Sequence, residues 1–178
     1  MNELRIRDAR PGDEEAIREV TLAAYQEYAA QLPSHWEAYR ENILSTLADV
    51  APAGQMVAER DGRIVGAVLL YPTGAFMPTP DGAPVRMPSP EVRLLAVAPG
   101  ERGGGIGAAL MQECVGRARA FGATDLTLHT TDMMRAAMRL YERLGFVAAQ
   151  ELDFHPAPGL TIKGYRLGLG PPPGSSAR

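Results

Sequence analysis

One cysteine, Cys114, stands among the 178 residues, so no disulfide can close within the chain and no cysteine-based metal site can be assembled. The helix in which it is expected makes it a buried structural thiol rather than a nucleophile. A basic tract of the kind that neutralises many phosphates is missing, and the formal net charge is −3 with a pI near 5.6, which argues against a nucleic-acid partner. No apolar run approaches a membrane span, and the N-terminus carries no basic-then-apolar leader, so no membrane partner and a cytoplasmic address are expected. No internal repeat divides the chain. With 46% hydrophobic residues it can bury a sizeable core, and its length suits one domain. We expect that domain over 1–168 and a disordered tail over 169–178, where Pro171-Pro172-Pro173 and Ser175-Ser176 stand.

What the chain does have is glycine concentrated at one place. The stretch from Leu94 to Leu110 reads as an apolar strand, a glycine-rich turn and a helix, with no acidic or bulky side chain from Gly103 to Gly107 apart from the aliphatic Ile106. Glycines let main-chain N–H groups approach an anion without interference from Cβ, and a helix start adds its unpaired N–H groups and positive dipole end. Arg102, just before the run, supplies a mobile cation. The turn is therefore suited to a phosphate.

Three glycine-rich loops bind phosphates, with different demands. A P-loop needs Gly-Lys-Ser/Thr, and here Gly107-Ala108-Ala109 stands instead. A dinucleotide fingerprint is formally present as Gly103-x-Gly105-x-x-Ala108, but it should be answered by an acidic residue closing the next strand. Asp125 instead opens the next apolar run, Leu126-Thr127-Leu128. The third pattern stands as Arg102-Gly103-Gly104-Gly105-Ile106-Gly107 after Leu95-Ala96-Val97-Ala98-Pro99. It resembles the acyl-CoA pyrophosphate loop of the GNAT acetyltransferase superfamily. A second element, Ala137-Met138-Arg139-Leu140-Tyr141-Glu142-Arg143-Leu144-Gly145-Phe146, resembles the helix and glycine turn that carry that superfamily's active-site tyrosine.

The rest of the pattern falls into the order this resemblance requires. Leu4–Arg7 alternates as a strand, Pro11-Gly12-Asp13 turns into a helix bearing Ile17, Val20, Leu22 and Tyr25, and a second helix is expected over Trp36–Leu47. Gln55–Glu59 and Ile64–Tyr71 flank Asp61-Gly62, a hairpin signal. Residues 72–90 read as an extended loop rich in Pro, Gly, Thr and Ser, either a surface insertion or a flap or partner-contact segment near an acceptor site. There follow a strand over Val92–Val97, a helix over Gly105–Phe121, a strand over Leu126–His129, a helix over Met133–Leu144, and two strands over Phe146–Asp153 and Leu160–Leu167. The expected class is α/β (α+β): a GNAT-like mixed, mostly antiparallel sheet of about seven strands with about four helices, splayed between the fourth and fifth strands.

The resemblance implies acetyl-CoA as co-substrate, an amine acceptor, no metal, and a homodimer as an option. Leu95, Ala96 and Val97 would offer main-chain groups to the pantetheine arm as an added strand does, and Arg102, Gly103, Gly104, Gly105, Ile106, Gly107 and Ala108 would hold the pyrophosphate. An oriented N–H near Val97 would be worth roughly 3–4 kcal/mol to acyl transfer. An alkylamine of pKa about 10.4 is almost wholly protonated at pH 7, and reaching its neutral form costs roughly 4–5 kcal/mol, which a general base offsets in part. Glu91 stands where many members place that base, the alternative being a solvated carboxylate; His129 and Asp132 follow as candidates. Tyr141 is the expected acid, against a purely packed role. Where many members have an Asn seven residues before that tyrosine, this chain has Met134. An acyl-CoA-binding sensor or partner-dependent subunit that has lost catalysis is therefore the competing class. Tyr25, Tyr28, His35, Trp36 and Tyr39 could line an acceptor pocket or face the core.

Overall fold

The computed structural model describes residues 3–49, 54–77 and 84–171. In chain order the first elements are β1 (Leu4–Asp8), α1 (Glu14–Tyr25), α2 (Trp36–Ala48), β2 (Gly54–Arg60), β3 (Arg63–Tyr71), β4 (Phe76–Met77) and β5 (Val85–Arg86). Then come β6 (Glu91–Val97), α3 (Ile106–Ala120), β7 (Asp125–Thr130), α4 (Arg135–Arg143), β8 (Val147–Ala148), β9 (Phe154–Ala157) and β10 (Leu160–Gly168). They make an eight-stranded mixed sheet, a separate β4-β5 pair and four α-helices among the described residues, which is the expected class with one strand more. The chain forms two compact units, Met1–Leu69 with Leu94–Glu113 and Leu70–Arg93 with Cys114–Arg178.

In the first unit the strand order is β1-β2-β3-β6, with β1 antiparallel to β2 from Leu4↔Arg60 to Asp8↔Met56. Asp61 and Gly62 hold φ of 50° and 75°, the paired left-handed turn that the dipeptide predicts. Ile17 and Val20 from α1 pack with Val57 and Ala67 from β2 and β3. The start of α1 is fixed by Arg7, which bridges Asp13 at 2.7 Å and Glu59 at 2.6 Å. Gly66 admits the start of α3, because a Cβ there would lie 3.0 Å from the Ala96 carbonyl and from Ile106 Cγ2. A 3-10 turn over Gln26–Gln31, which the apolar spacing does not announce, extends α1.

In the second unit β7 is parallel to β6 and antiparallel to β10, through Lys163↔Thr130 to Gly168↔Asp125. The β6 to β7 register runs over Glu91↔Thr127 and Val92↔Leu128. It stops just short of Leu94, whose φ is 50°, where the sheet was expected to splay. Both β8 and β9 pair with β10.

The single strand expected over Phe146–Asp153 is not found. The chain makes the two-residue β8, a 3-10 turn over Gln150–Leu152, and then β9. The cause lies on β10, where a Cβ at Gly164 would stand 2.3 Å from Leu152 Cβ and 3.0 Å from the Ala149 carbonyl. The turn is pressed onto a bare stretch of backbone and pinned there by Ala149 N–H to the Gly164 carbonyl and Gly164 N–H to Asp153 Oδ1, both 2.8 Å. Residues 72–90 are also less irregular than expected, since Phe76↔Arg86 and Met77↔Val85 pair as a short hairpin. Residues 78–83, and the expected tail from 172 onward, lie outside the described residues.

Candidate active site

The glycine turn belongs to the first unit. Arg102 is extended, Gly103 and Gly105 have φ of 83° and 78°, and α3 begins at Ile106. An L side chain in that left-handed region costs about 1–2 kcal/mol. Space is not what demands glycine here, for a Cβ at either position would meet nothing within 4 Å. The turn therefore presents bare main chain. Ala109 N–H bonds the Gly105 carbonyl at 3.0 Å, so the amides of Ile106, Gly107 and Ala108 come before the helical ladder starts, and the first turn holds no acidic residue. This is the geometry of an anion-binding helix start.

Two cations border it. Arg102 is docked rather than mobile, since its guanidinium meets Glu27 at 2.7 Å and the Ala24 carbonyl at 3.0 Å. That hydrogen bond holds the Glu27 carboxyl below the usual carboxylate range. The neighbouring Tyr28 phenol is pushed up to about 12, first by burial and then by Glu27. Arg60, at the end of β2, stands 3.7 Å from where a Gly104 Cβ would be and pairs with Glu101 at 2.5 Å, while its buried Nε has no hydrogen-bond partner among the described residues.

Of the strand residues expected to meet a ligand, Ala96 is buried, and the Leu95 carbonyl accepts the Tyr25 hydroxyl at 3.3 Å. The Tyr25 ring lies 6.1 Å from Tyr28, edge-on, and 6.1 Å from Tyr39, tilted, and Trp36 lies 6.2 Å from Tyr39. The aromatic residues near α1 and α2 thus form one cluster.

In the second unit Glu91 is not a solvated carboxylate; it is 2% exposed. Its Oε2 meets Thr127 Oγ1 at 2.5 Å and its Oε1 meets His129 Nδ1 at 2.5 Å. The parallel register explains this, because Glu91 lies opposite Thr127 and His129 is the next residue on that face of β7. His129 Nε2 faces the Leu152 carbonyl at 3.0 Å. A carbonyl only accepts, so Nε2 carries a proton, and Nδ1 shares a hydrogen bond with the Glu91 carboxyl that favours the charged form of the ring. Burial works against that charge, but the hydrogen bond and charge of Glu91 and the Leu152 carbonyl outweigh it, and the ring's pKa stands above the ordinary histidine value. Asp132, the other candidate base, is a surface group paired with Lys163 at 2.5 Å.

Tyr141 lies on α4, is buried, and packs its ring 6.0 Å from Phe146 at 58°. Met134 caps the start of α4, with Met138 N–H bonding its carbonyl at 2.9 Å. Cys114 is fully buried within α3. No group of three or more His, Cys, Asp or Glu able to hold a metal occurs among the described residues.

A family model, that of the Acetyltransferase (GNAT) family, matches residues 18–146, well over half of the chain. The chain belongs to the GNAT acetyltransferases. It is 34% identical over 148 residues to a mycothiol acetyltransferase of Thermobispora bispora, covering 80% of this chain and 46% of that one. It thus spans about half the length of that relative. A GNAT acetyltransferase of Brucella melitensis crystallised with acetyl-CoA superposes with a TM-score of 0.60 at 24% identity, covering 97% of this chain and 92% of the other. The ribosomal-protein-S18-alanine N-acetyltransferase of Escherichia coli superposes at 0.67 with 15% identity, covering 99% and 100%. These two likenesses concern the fold.

In both units of this GNAT chain there are residues that escape a reading of the sequence. Arg60 beside the glycine turn carries no signal beyond standing before Asp61-Gly62. Thr127 looks like an ordinary strand threonine until the register sets it against Glu91. Tyr25 is expected either to line an acceptor pocket or to face the core, and only the fold brings its hydroxyl to Leu95.

Proposed function

We propose that this GNAT chain is an N-acetyltransferase that moves the acetyl group of acetyl-CoA to a primary amine of a small molecule or peptide, by direct attack in a ternary complex. The observation that carries the reading is the turn Arg102–Gly107, whose two left-handed glycines open bare main chain in front of a helix start. The relatives named as acetyltransferases and the acetyl-CoA held by the Brucella neighbour support it. The name of the Thermobispora relative favours a small-molecule acceptor and that of the Escherichia coli neighbour a peptide amine. The cytoplasm is the proposed place of action.

Bound acetyl-CoA supplies an electrophilic thioester carbonyl and a thiolate leaving group. The amides of Gly103, Gly104, Gly105, Ile106, Gly107 and Ala108 would hold the pyrophosphate, with Arg60 and Arg102 as the nearby cations. Leu95, Ala96 and Val97 would offer the pantetheine arm their main chain, which at Leu95 means sharing or displacing the Tyr25 hydroxyl. Glu91 would take the proton of the attacking amine. Because it is 2% exposed, that proton would reach it through the bound acceptor or one ordered water. His129 and Thr127 would orient the carboxyl. Tyr141 would donate a hydrogen bond to the departing sulfur. Full transfer from a phenol of pKa about 10 to a thiolate of about 8.5 is uphill by roughly 2 kcal/mol, so a hydrogen bond is the role assigned to it.

Isothermal titration with acetyl-CoA, CoA and NADH tests the loop, and release of thiol over a panel of primary amines tests the transfer. Saturable binding of the two CoA ligands with thiol release is the expected result. Binding of NADH alone would overturn the reading.

A further inference from the structure

The Glu91 carboxyl stands beside one hydroxyl that has two acceptors for a single proton. Thr127 Oγ1 lies 2.5 Å from Glu91 Oε2 and 3.1 Å from the Pro90 carbonyl oxygen. Both side chains are buried, at 3% and 2% exposure. A hydroxyl donates once and accepts twice, so it cannot serve both oxygens while the carboxyl is ionised. In that state its proton goes to Oε2, and the Pro90 oxygen is still served by Thr127 N–H at 2.9 Å. When Oε2 carries a proton it becomes the donor, the hydroxyl accepts, and the hydroxyl proton turns to the second lone pair on Pro90. Every polar atom of the set is bonded in both states. Leaving one unbonded in such a place costs about 1–3 kcal/mol.

The rest of the surroundings holds still while this happens. Oε1 stays on His129 Nδ1, and the ring is anchored at its other nitrogen by Leu152. The charged groups nearby are Arg93, whose charge acts on His129; Asp153, occupied by Gly164 N–H; and Arg166, opposite Thr127 in register and paired with Glu151 and Asp125. The Phe154 ring closes on His129 edge-on at 5.4 Å.

We propose that Thr127 is a positioning residue for the base, its hydroxyl turning between Glu91 and Pro90 so that the buried carboxyl gains and loses a proton at Oε2 with all its polar neighbours satisfied. This rests on the reading of Glu91 as base. In the step, an N–H bond of the acceptor breaks and an O–H bond forms on Oε2. The Thr127 O–H bond is turned but not broken, and the proton later leaves Oε2 to water.

Acid-induced infrared difference spectra of the full chain test this without any acceptor. A carboxylic-acid carbonyl band that Glu91→Gln removes is expected. Thr127→Val should shift that band, because the protonated Oε2 loses the hydroxyl it donates to while Oε1 stays on His129. Thr127→Ser should restore it. With acetyl-CoA and either tyramine or an alanine-initiated peptide, Thr127→Val should lower kcat about tenfold with the KM for acetyl-CoA unchanged, and Thr127→Ser should recover it. Absence of a Glu91 band, or a band unmoved by Thr127→Val, overturns the proposal. Wild-type turnover in Glu91→Gln overturns the base reading instead, so the two failures are distinguishable.

Discussion

Replacing His129 by alanine probes the buried pair directly. The substitution removes the charged donor to Glu91 Oε1, the Nε2–H bond to Leu152 and the edge contact with Phe154. Removing one partner of a fully buried pair costs about 3–5 kcal/mol. The His129 side chain is 21% exposed, and water can enter the vacated space, so the expected loss is about 2–3 kcal/mol near pH 6. In a chain of this size that lowers Tm by about 5–10 °C. The pH dependence has a definite sign. The folded pKa of His129 is raised, so its stabilisation is complete below the unfolded value of about 6.5 and is lost as pH rises through the folded value. The gap between wild type and His129→Ala should therefore narrow to about 1 kcal/mol near pH 9, what remains being the Nε2–H bond and packing. Urea unfolding of both proteins between those limits measures it, with Glu91→Gln as a control that flattens the dependence. A gap that stays constant or widens with pH would refute the stabilisation of the charged ring by Glu91.

Other perturbations separate the loop, the acid and the packed turn. Gly105→Glu places a carboxylate where the anion is expected; at an effective dielectric near 20 and about 5 Å from a phosphate charge, the repulsion is about 3 kcal/mol. Calorimetry should show acetyl-CoA binding weakened at least a hundredfold, beyond the ~1–2 kcal/mol of backbone strain seen in unfolding. Tyr141→Phe should lower kcat by about tenfold to a hundredfold while leaving the acetyl-CoA Kd within twofold, and an unchanged kcat would return Tyr141 to a packing role. Gly164→Ala drives a Cβ to 2.3 Å from Leu152 Cβ, so the turn over 150–152 must lift. Overpacking and strained hydrogen bonds together should cost about 2–4 kcal/mol in denaturant unfolding.

What could be read in the chain beforehand is what local chirality dictates. Asp61-Gly62 and the glycines at 103 and 105 announce themselves because few other residues tolerate positive φ. Tyr141 could be placed by its helix and the glycine turn that follows. What could not be read depends on register or on a distant residue. Glu91 stands at the start of a strand after a polar loop, and nothing in that local pattern tells burial from exposure; the pairing with β7 makes the difference. The break in the expected strand over Phe146–Asp153 originates at Gly164, on another strand. Arg102, expected as a mobile cation, is held by Ala24 near the end of α1 and Glu27 just after it, an association that no spacing within the glycine motif encodes.

Leu94 holds a left-handed φ of 50° inside β6, a posture that a non-glycine residue adopts at a cost of about 1–2 kcal/mol. It works as a crease in a ruler. Before it, Glu91 and Val92 keep step with β7; after it come Leu95, Ala96 and Val97, whose backbone is proposed for the acyl donor. The residues proposed for the two tasks are thus carried by one strand, β6. A change that flattens the crease should therefore disturb both proposed tasks at once.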